Sequence, residues 1–266
     1  SSWPGGNGGG LVKITAGTLT VDGKIVADGG NGPSGSGGYY GGGGSGGGVM
    51  INVFTLAGAG TISAKGATGS YEAAAGGGGR IAVYYDSLTL PTANIIAAGG
   101  KNGGGGTALY NGGAGTIYLN DRAKTNGDLI LDNSGVITTS TTTINSGVYA
   151  RLIVTGGAIV AMNGGIVADG DLQLDGSILT FNGDLTLPGN LTINNSQLTI
   201  AGALSIVGNL TLQNNSILTH PGATASSQYR LAIQAANIAI DATSKIDVAG
   251  KGYLGGWQRG NNSFSG

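Results

Sequence analysis

Thirteen carboxylates and a single histidine carry most of the catalytic potential of this 266-residue chain. The densest acidic group is Asp169, Asp171, Asp175 and Asp184, with Asp132 further upstream. Glycoside hydrolysis needs two carboxylates facing one sugar, roughly 5–9.5 Å apart. Residues two apart on an extended chain share a face, so Asp169 and Asp171 can point the same way. Both flank Gly170, however, and aspartate beside glycine is the composition of a corner, where the carboxylate serves the turn itself. His220 stands alone before Pro221, with no spacing around it that suits a Ser-His-Asp triad or a histidine metal site. The Asp169-Gly170-Asp171 corner offers oxygen ligands to calcium but matches neither an EF-hand loop nor the nonapeptide calcium repeat. Arg80 and Arg122 lie beside strand patterns and read as surface ion-pair partners. Cysteine is absent, which excludes thiolate nucleophiles, thiolate metal sites and disulfides. The expectation is a chain with no catalytic residue, no cofactor and no metal.

Two further patterns need a ligand-based and a structural reading. Thr180, Thr186, Thr192, Thr199, Thr211 and Thr219 are frequent enough to suggest an ice-ordering array. Each stands singly between apolar residues, which equally suits ordinary cross-strand pairing. The sequons at Asn190, Asn194, Asn209, Asn214 and Asn261 follow the repeat described below, so they read as asparagines stacked at a recurring corner rather than as sugar acceptors.

The elements that position these residues must be unusual. Glycine makes up 57 of 266 residues, yet 40% of the chain is hydrophobic and the two classes alternate in blocks. Only 9% of residues are charged, with 12 Lys+Arg against 13 Asp+Glu. No basic stripe exists to neutralise phosphates or grip an anionic bilayer, so nucleic acid and membrane are not expected partners. No apolar run reaches the ~20 residues of a membrane helix. Residues 1–4 do not resemble a signal peptide, so a secreted form would be processed or excised.

Internal repeats dominate the chain. In the first half, Val12 and Val49, Leu19 and Leu56, Ile25 and Ile62, and Gly29 and Gly66 are each 37 residues apart. Each copy opens with a glycine triplet: Gly8-Gly9-Gly10, Gly46-Gly47-Gly48 and Gly77-Gly78-Gly79. The third copy continues through Ile81, Val83, Leu88 and Ile95, and a fourth begins at Ile117 and Leu119. From about residue 128 the period shortens. Leu172, Leu191 and Leu210 are 19 apart, as are Leu185 and Leu204, Gly189 and Gly208, and Asn190 and Asn209.

Within these units apolar residues alternate strictly with polar ones, as in Leu185-Thr186-Leu187, which predicts short strands with one buried face. Strands of three to five residues cannot be stable alone, but stacking successive turns at ~4.8 Å buries a continuous core. A sandwich of antiparallel hairpins also has short strands every 8–12 residues, but it does not require like residues to recur in register. The expected fold is therefore all-β, a right-handed parallel β-helix with glycine-rich excursions from its N-terminal turns. Its expected parts are residues 1–127 with the excursions, 128–229 with compact 19-residue turns, and 230–266 where the glycine-rich repeat returns. The excursions, residues 28–48, 65–79 and 98–115, are either flexible or packed as extended polyproline-II segments. Each carries an aromatic (Tyr39 and Tyr40, Tyr71, Tyr110), which favours packing over a glycan ladder.

Residues 46–51, 60–66 and 77–85 together resemble the repeats of large glycine-rich β-helix surface proteins of bacteria. The likeness spans residues 8–119 and returns near 230–252. It implies an extracellular or cell-surface location and carries over no catalytic residue.

Residues 249–266 read as the opening of another glycine excursion and residues 1–10 as the end of one. The functional expectation is a non-enzymatic extracellular structural protein, a subunit of a head-to-tail filament and adhesive, whose partner is another copy of itself. The expected interface joins Trp3, Leu11 and Ile14 of one subunit to Ile246, Val248, Tyr253, Trp257 and Phe264 of the next. The alternative is a β-helix that binds or cleaves polysaccharide, with surface glycans as partner; ice binding is a third reading.

Overall fold

The computed structural model describes residues 4–33, 40–104, 107–163 and 166–256. They form two compact units, Ser1–Thr142 with Tyr149–Val160, and Thr143–Val148 with Ala161–Gly266. Among the described residues the regular structure is β-strand, with two single-turn 3-10 segments.

The first unit contains β1 (Leu11–Thr20), β2 (Lys24–Val26), β3 (Gly48–Ala57), β4 (Thr61–Ser63), β5 (Arg80–Tyr85), β6 (Ser87–Leu88), β7 (Ile95–Ile96), β8 (Thr116–Asp121) and β9 (Asp128–Asp132). β10 (Thr141–Ile144) and β11 (Gly147–Tyr149) follow, and β12 (Leu152–Thr155) lies beside β9 in the sheet order β1-β3-β5-β8-β9-β12. β1, β3, β5 and β8 run parallel, and their register is that of the repeats. Val12 pairs with Val49, Val49 with Ile81, and Ile81 with Ile117; Ile14, Ile51, Val83 and Leu119 form the adjacent column. β2, β4 and β7 stack likewise, setting Ile25, Ile62 and Ile95 in line. These columns close one core with Leu56 and Leu90, in which each fully buried aliphatic side chain contributes about 1.5–3 kcal/mol.

The parallel order breaks once. β9 pairs with β8 antiparallel, Ile117 opposite Ile130 and Tyr118 opposite Leu129. Directly opposed residues share a face of the sheet. Ile130 accordingly packs on the first core beside Ile117. Leu129 and Leu131 point the other way and stack in register on Leu152 and Val154 of the parallel strand β12, all four buried. The core thus changes to the opposite face of the sheet where the strand direction reverses. This falls at residues 122–127, the point where the sequence period shortens. The reversal is built by Asp121, whose carboxylate accepts from Ala123 N at 3.0 Å, and by Gly127. A Cβ on Gly127 would lie 2.6 Å from Leu119 O and 2.7 Å from the Tyr118 ring.

The described residues of the glycine excursions are ordered, and their hydrogen bonds have a period of three. Gly41, Gly44 and Gly47 donate to the carbonyls of Pro33, Gly30 and Ala27, the outgoing leg of the same excursion. Gly43 and Gly46 donate to Ala74 and Gly77 of the next, and Gly42 and Ser45 accept from Gly6 and Gly9 of the one before. Three residues per turn is the period of a polyproline-II helix, so each leg bonds to several neighbours in turn. Glycine is required there by proximity rather than by a left-handed backbone. A Cβ on Gly44, Gly76 or Gly112 would sit 2.0, 1.8 and 2.0 Å from the carbonyl oxygens of Asn7, Gly44 and Gly76, one excursion below. Gly47, Gly79 and Gly115 repeat this column with Gly10, Gly47 and Gly79. The excursion aromatics pack on one another in the case of Tyr40 and Tyr71, stacked with centroids 4.8 Å apart; Tyr39 lies outside the described residues.

After β13 (Ile159–Asn163) and β14 (Ile166–Ala168), the second unit holds β15 (Leu172–Asp175), β16 (Ile178–Asn182), β17 (Leu185–Leu187), β18 (Leu191–Asn194), β19 (Gln197–Ile200) and β20 (Ala203–Ile206). They are followed by β21 (Asn209–Gln213), β22 (Ile217–Thr219), β23 (Ala232–Gln234), β24 (Asn237–Ile240) and β25 (Lys245–Ile246). The chain visits three sheets in rotation: β15-β18-β21-β24, β16-β19-β22-β25 and β17-β20-β23, every pairing parallel. Leu172, Leu191 and Leu210 form one buried column, as their spacing predicts, and Leu185 stacks on Leu204. Phe181 is the bulkiest fully buried side chain of the second unit.

Candidate functional site

The acidic residues with catalytic potential are occupied at corners. Asp171 Oδ1 accepts from Asn190 N at 2.7 Å, and Asp184 Oδ1 accepts from Ala203 N at 2.7 Å, each 19 residues further on. Asn190 repeats the motif by accepting from Asn209 N at 3.0 Å. The first unit applies it at an offset of 37, where Asp28 accepts from Lys65 N at 2.7 Å and Asn31 from Thr68 N at 3.1 Å. An acceptor at the corner of one turn therefore fixes the start of the same corner in the next. Side-chain ladders reinforce it: Asn194 Nδ2 donates to Asp175 and Asn214 Nδ2 to Asn194, at 2.7 and 2.6 Å. His220 is buried, its Nδ1 2.7 Å from Pro221 O. Among the described residues no three His, Asp or Glu side chains gather as a metal site. Thr180, Thr199 and Thr219 do stack in one column, of which Thr219 is buried. Arg122 pairs with Asp86 at 2.8 Å and lies 5.8 Å from the Phe54 ring centre.

The surfaces that remain unsatisfied are the outermost strands of each stack. Among the described residues β1 pairs only with β3, β24 only with β21, and β25 only with β22. Their side chains continue the core columns without a neighbour on one side. Leu210 and Leu212 are 0% and 1% exposed, but Ile238 and Ile240, next in the same columns, are 48% and 43% exposed. In the first unit Val49 and Ile51 are buried, whereas Val12 and Ile14 one turn away are half-buried and Leu11 is exposed.

Comparison with known proteins finds no family model, no curated protein and no solved structure that matches the chain.

Of the expected interface residues, Leu11 and Ile14 thus lie on the outermost strand of the first unit. Ile246 in β25 and the exposed Val248 and Tyr253 after it belong to the last turn of the second. Trp3, Trp257 and Phe264 lie outside the described residues. Sequence reasoning missed an aromatic row outside the first core. Tyr84 and Tyr118 meet edge to face at 5.9 Å, and Tyr118 and Tyr149 at 6.3 Å. Burial and the adjoining Tyr118 raise the Tyr149 phenol above its ordinary value. The signal was present as tyrosine at outward positions of successive strands, but only the reversal at β9 brings Tyr149 to the row.

Proposed function

We propose that the chain is a non-enzymatic structural module of an extracellular or cell-surface filament. In this reading both runs of stacked strands are right-handed parallel β-helices, the hand that parallel crossovers take. Growth occurs by adding turns to the outermost strands β1 and β24–β25, and the added turn comes from another copy of the chain. The supporting observation is the exposure of Ile238, Ile240 and Ile246 in columns that are otherwise dry, with Val12 and Ile14 only half-buried on the outermost strand of the first unit. An unprotected strand edge with apolar side chains is a template for further pairing. A contact between two different ends does not close, so it propagates as a fibre. Low charge and the likeness to glycine-rich bacterial surface repeats support the location.

Electron microscopy of the purified chain tests this. Thin unbranched fibres with a regular axial repeat are expected. Ile238→Lys with Ile240→Lys should leave the fold intact and abolish the fibres. Strictly monomeric wild-type particles at high concentration would refute the proposal.

A further inference from the structure

The second unit has one irregular turn. Ile217 pairs with Lys245, 28 residues on, where the preceding turns pair residues 19 or 20 apart. The additional length lies after β22, in residues 220–231. An insertion in one turn of a repeat commonly forms a loop on the binding face. Here Thr224 closes it by accepting from Ser227 N at 3.0 Å, and Ala223 N ties it to Lys251 O at 3.2 Å. Gly250, at φ +67, turns the chain after β25 back toward the insertion.

Between the two segments lies a cavity of about 480 Å³, lined by Gln228, Tyr229, Arg230, Lys251 and Tyr253. That is within the ~300–1,000 Å³ range of small-ligand sites. Its lining has two cations and no acid. Lys251 is held by one donated bond to His220 O at 2.8 Å, which leaves two ammonium protons. Arg230 forms no ion pair among the described residues. Asp247, the acid on which Lys251 acts electrostatically, is bound to Lys245 at 2.6 Å and does not line the cavity.

We propose that this cavity binds an anionic sugar residue of a polysaccharide. Arg230 takes the carboxylate in its planar fork, with Lys251 as a second positive charge. The Gln228 amide and the tyrosine hydroxyls meet sugar hydroxyls, and the Tyr229 and Tyr253 rings cover the apolar face of the sugar. A neutral sugar would leave two desolvated cations without a counter-charge, which sets the selectivity. Tyr253 is also among the expected interface residues, so the titration is made on unassembled chain.

Isothermal titration of the full chain with trigalacturonate, galacturonate, cellotriose and inorganic sulfate tests the assignment. Trigalacturonate should bind at least about tenfold more tightly than cellotriose, with affinity falling as salt rises. A stronger response to the trimer than to galacturonate assigns the site to a polymer; equal responses would overturn the polysaccharide assignment. Arg230→Ala and Tyr253→Ala, both at exposed positions, should each weaken binding about tenfold while leaving the melting temperature unchanged. Binding unaffected by both variants, cellotriose binding as tightly, or sulfate matching trigalacturonate would overturn the proposal.

Discussion

Glycine is used in two opposite ways. At Gly76 a Cβ would lie 1.8 Å from the Gly44 carbonyl oxygen, a contact with backbone that no rotamer relieves. At Gly23 the same atom would meet nothing within 4 Å, and the backbone is not left-handed. Gly76→Ala should therefore cost at least about 2–3 kcal/mol through overpacking, whereas Gly23→Ala should be neutral or stabilising by up to about 1 kcal/mol. Urea unfolding of the two variants checks both signs. Asp241 sets a pH dependence. Its carboxylate accepts from Asn214 N at 2.7 Å and from Thr243, and with Ser244 these bonds hold its pKa well below the usual carboxylate range. A depressed folded-state pKa stabilises above the unfolded value, near 4, and the contribution is lost as pH falls below it. Wild type should thus lose melting temperature between pH 5 and pH 2 more steeply than Asp241→Asn; parallel curves would refute the linkage.

For the strands, register was legible and direction was not. Offsets of 37 and 19 place Val49 under Val12 and Leu191 under Leu172 because in-register stacking puts like on like. The alternation in Ile117-Tyr118-Leu119 and Leu129-Ile130-Leu131 reads the same in either direction. Neither the antiparallel step nor the change of face was visible in it. The excursions were legible as glycine blocks, but their period of three was hidden in returning legs such as residues 42–47, where a Cβ at Gly43, Gly44, Gly46 or Gly47 would lie within 2.2 Å of a carbonyl oxygen and few side chains are left to show a pattern. The corner aspartates were readable as turn residues, while the cavity at Arg230 and Lys251 depends on an insertion that carries no motif. At the reversal, Asp128 is buried with Arg151 at 2.5 Å, and its second carboxylate oxygen has no hydrogen-bond partner. Arg151→Ala should cost about 1–3 kcal/mol by leaving that charge unpaired. Phe181→Ala, which removes a fully buried ring, should cost about 3–5 kcal/mol. Chemical denaturation measures each.

Across the whole molecule stability should be graded. A stack in which each turn contacts only its neighbours opens from its outer turns. Amides of β1, β24 and β25 should exchange with deuterium faster than those of β3, β5, β18 and β21. In assembled fibres the slow class should extend to β1, β24 and β25. Uniform protection in the isolated chain would contradict the graded picture.

The step from β8 to β9 has two components: the strand runs the other way, and the core moves to the other face. Together they amount to a half-turn about the stacking direction, and a rotation preserves hand. Reversing the strand with the core kept on one face would be a reflection, giving a coil of opposite sense that the twist of L-amino-acid strands disfavours. In the proposed β-helix, the pairing of Tyr118 with Leu129 is what would allow the chain to turn back in mid-sheet and still wind one way. A slip of one residue there would exchange the two faces and require the mirror-image coil.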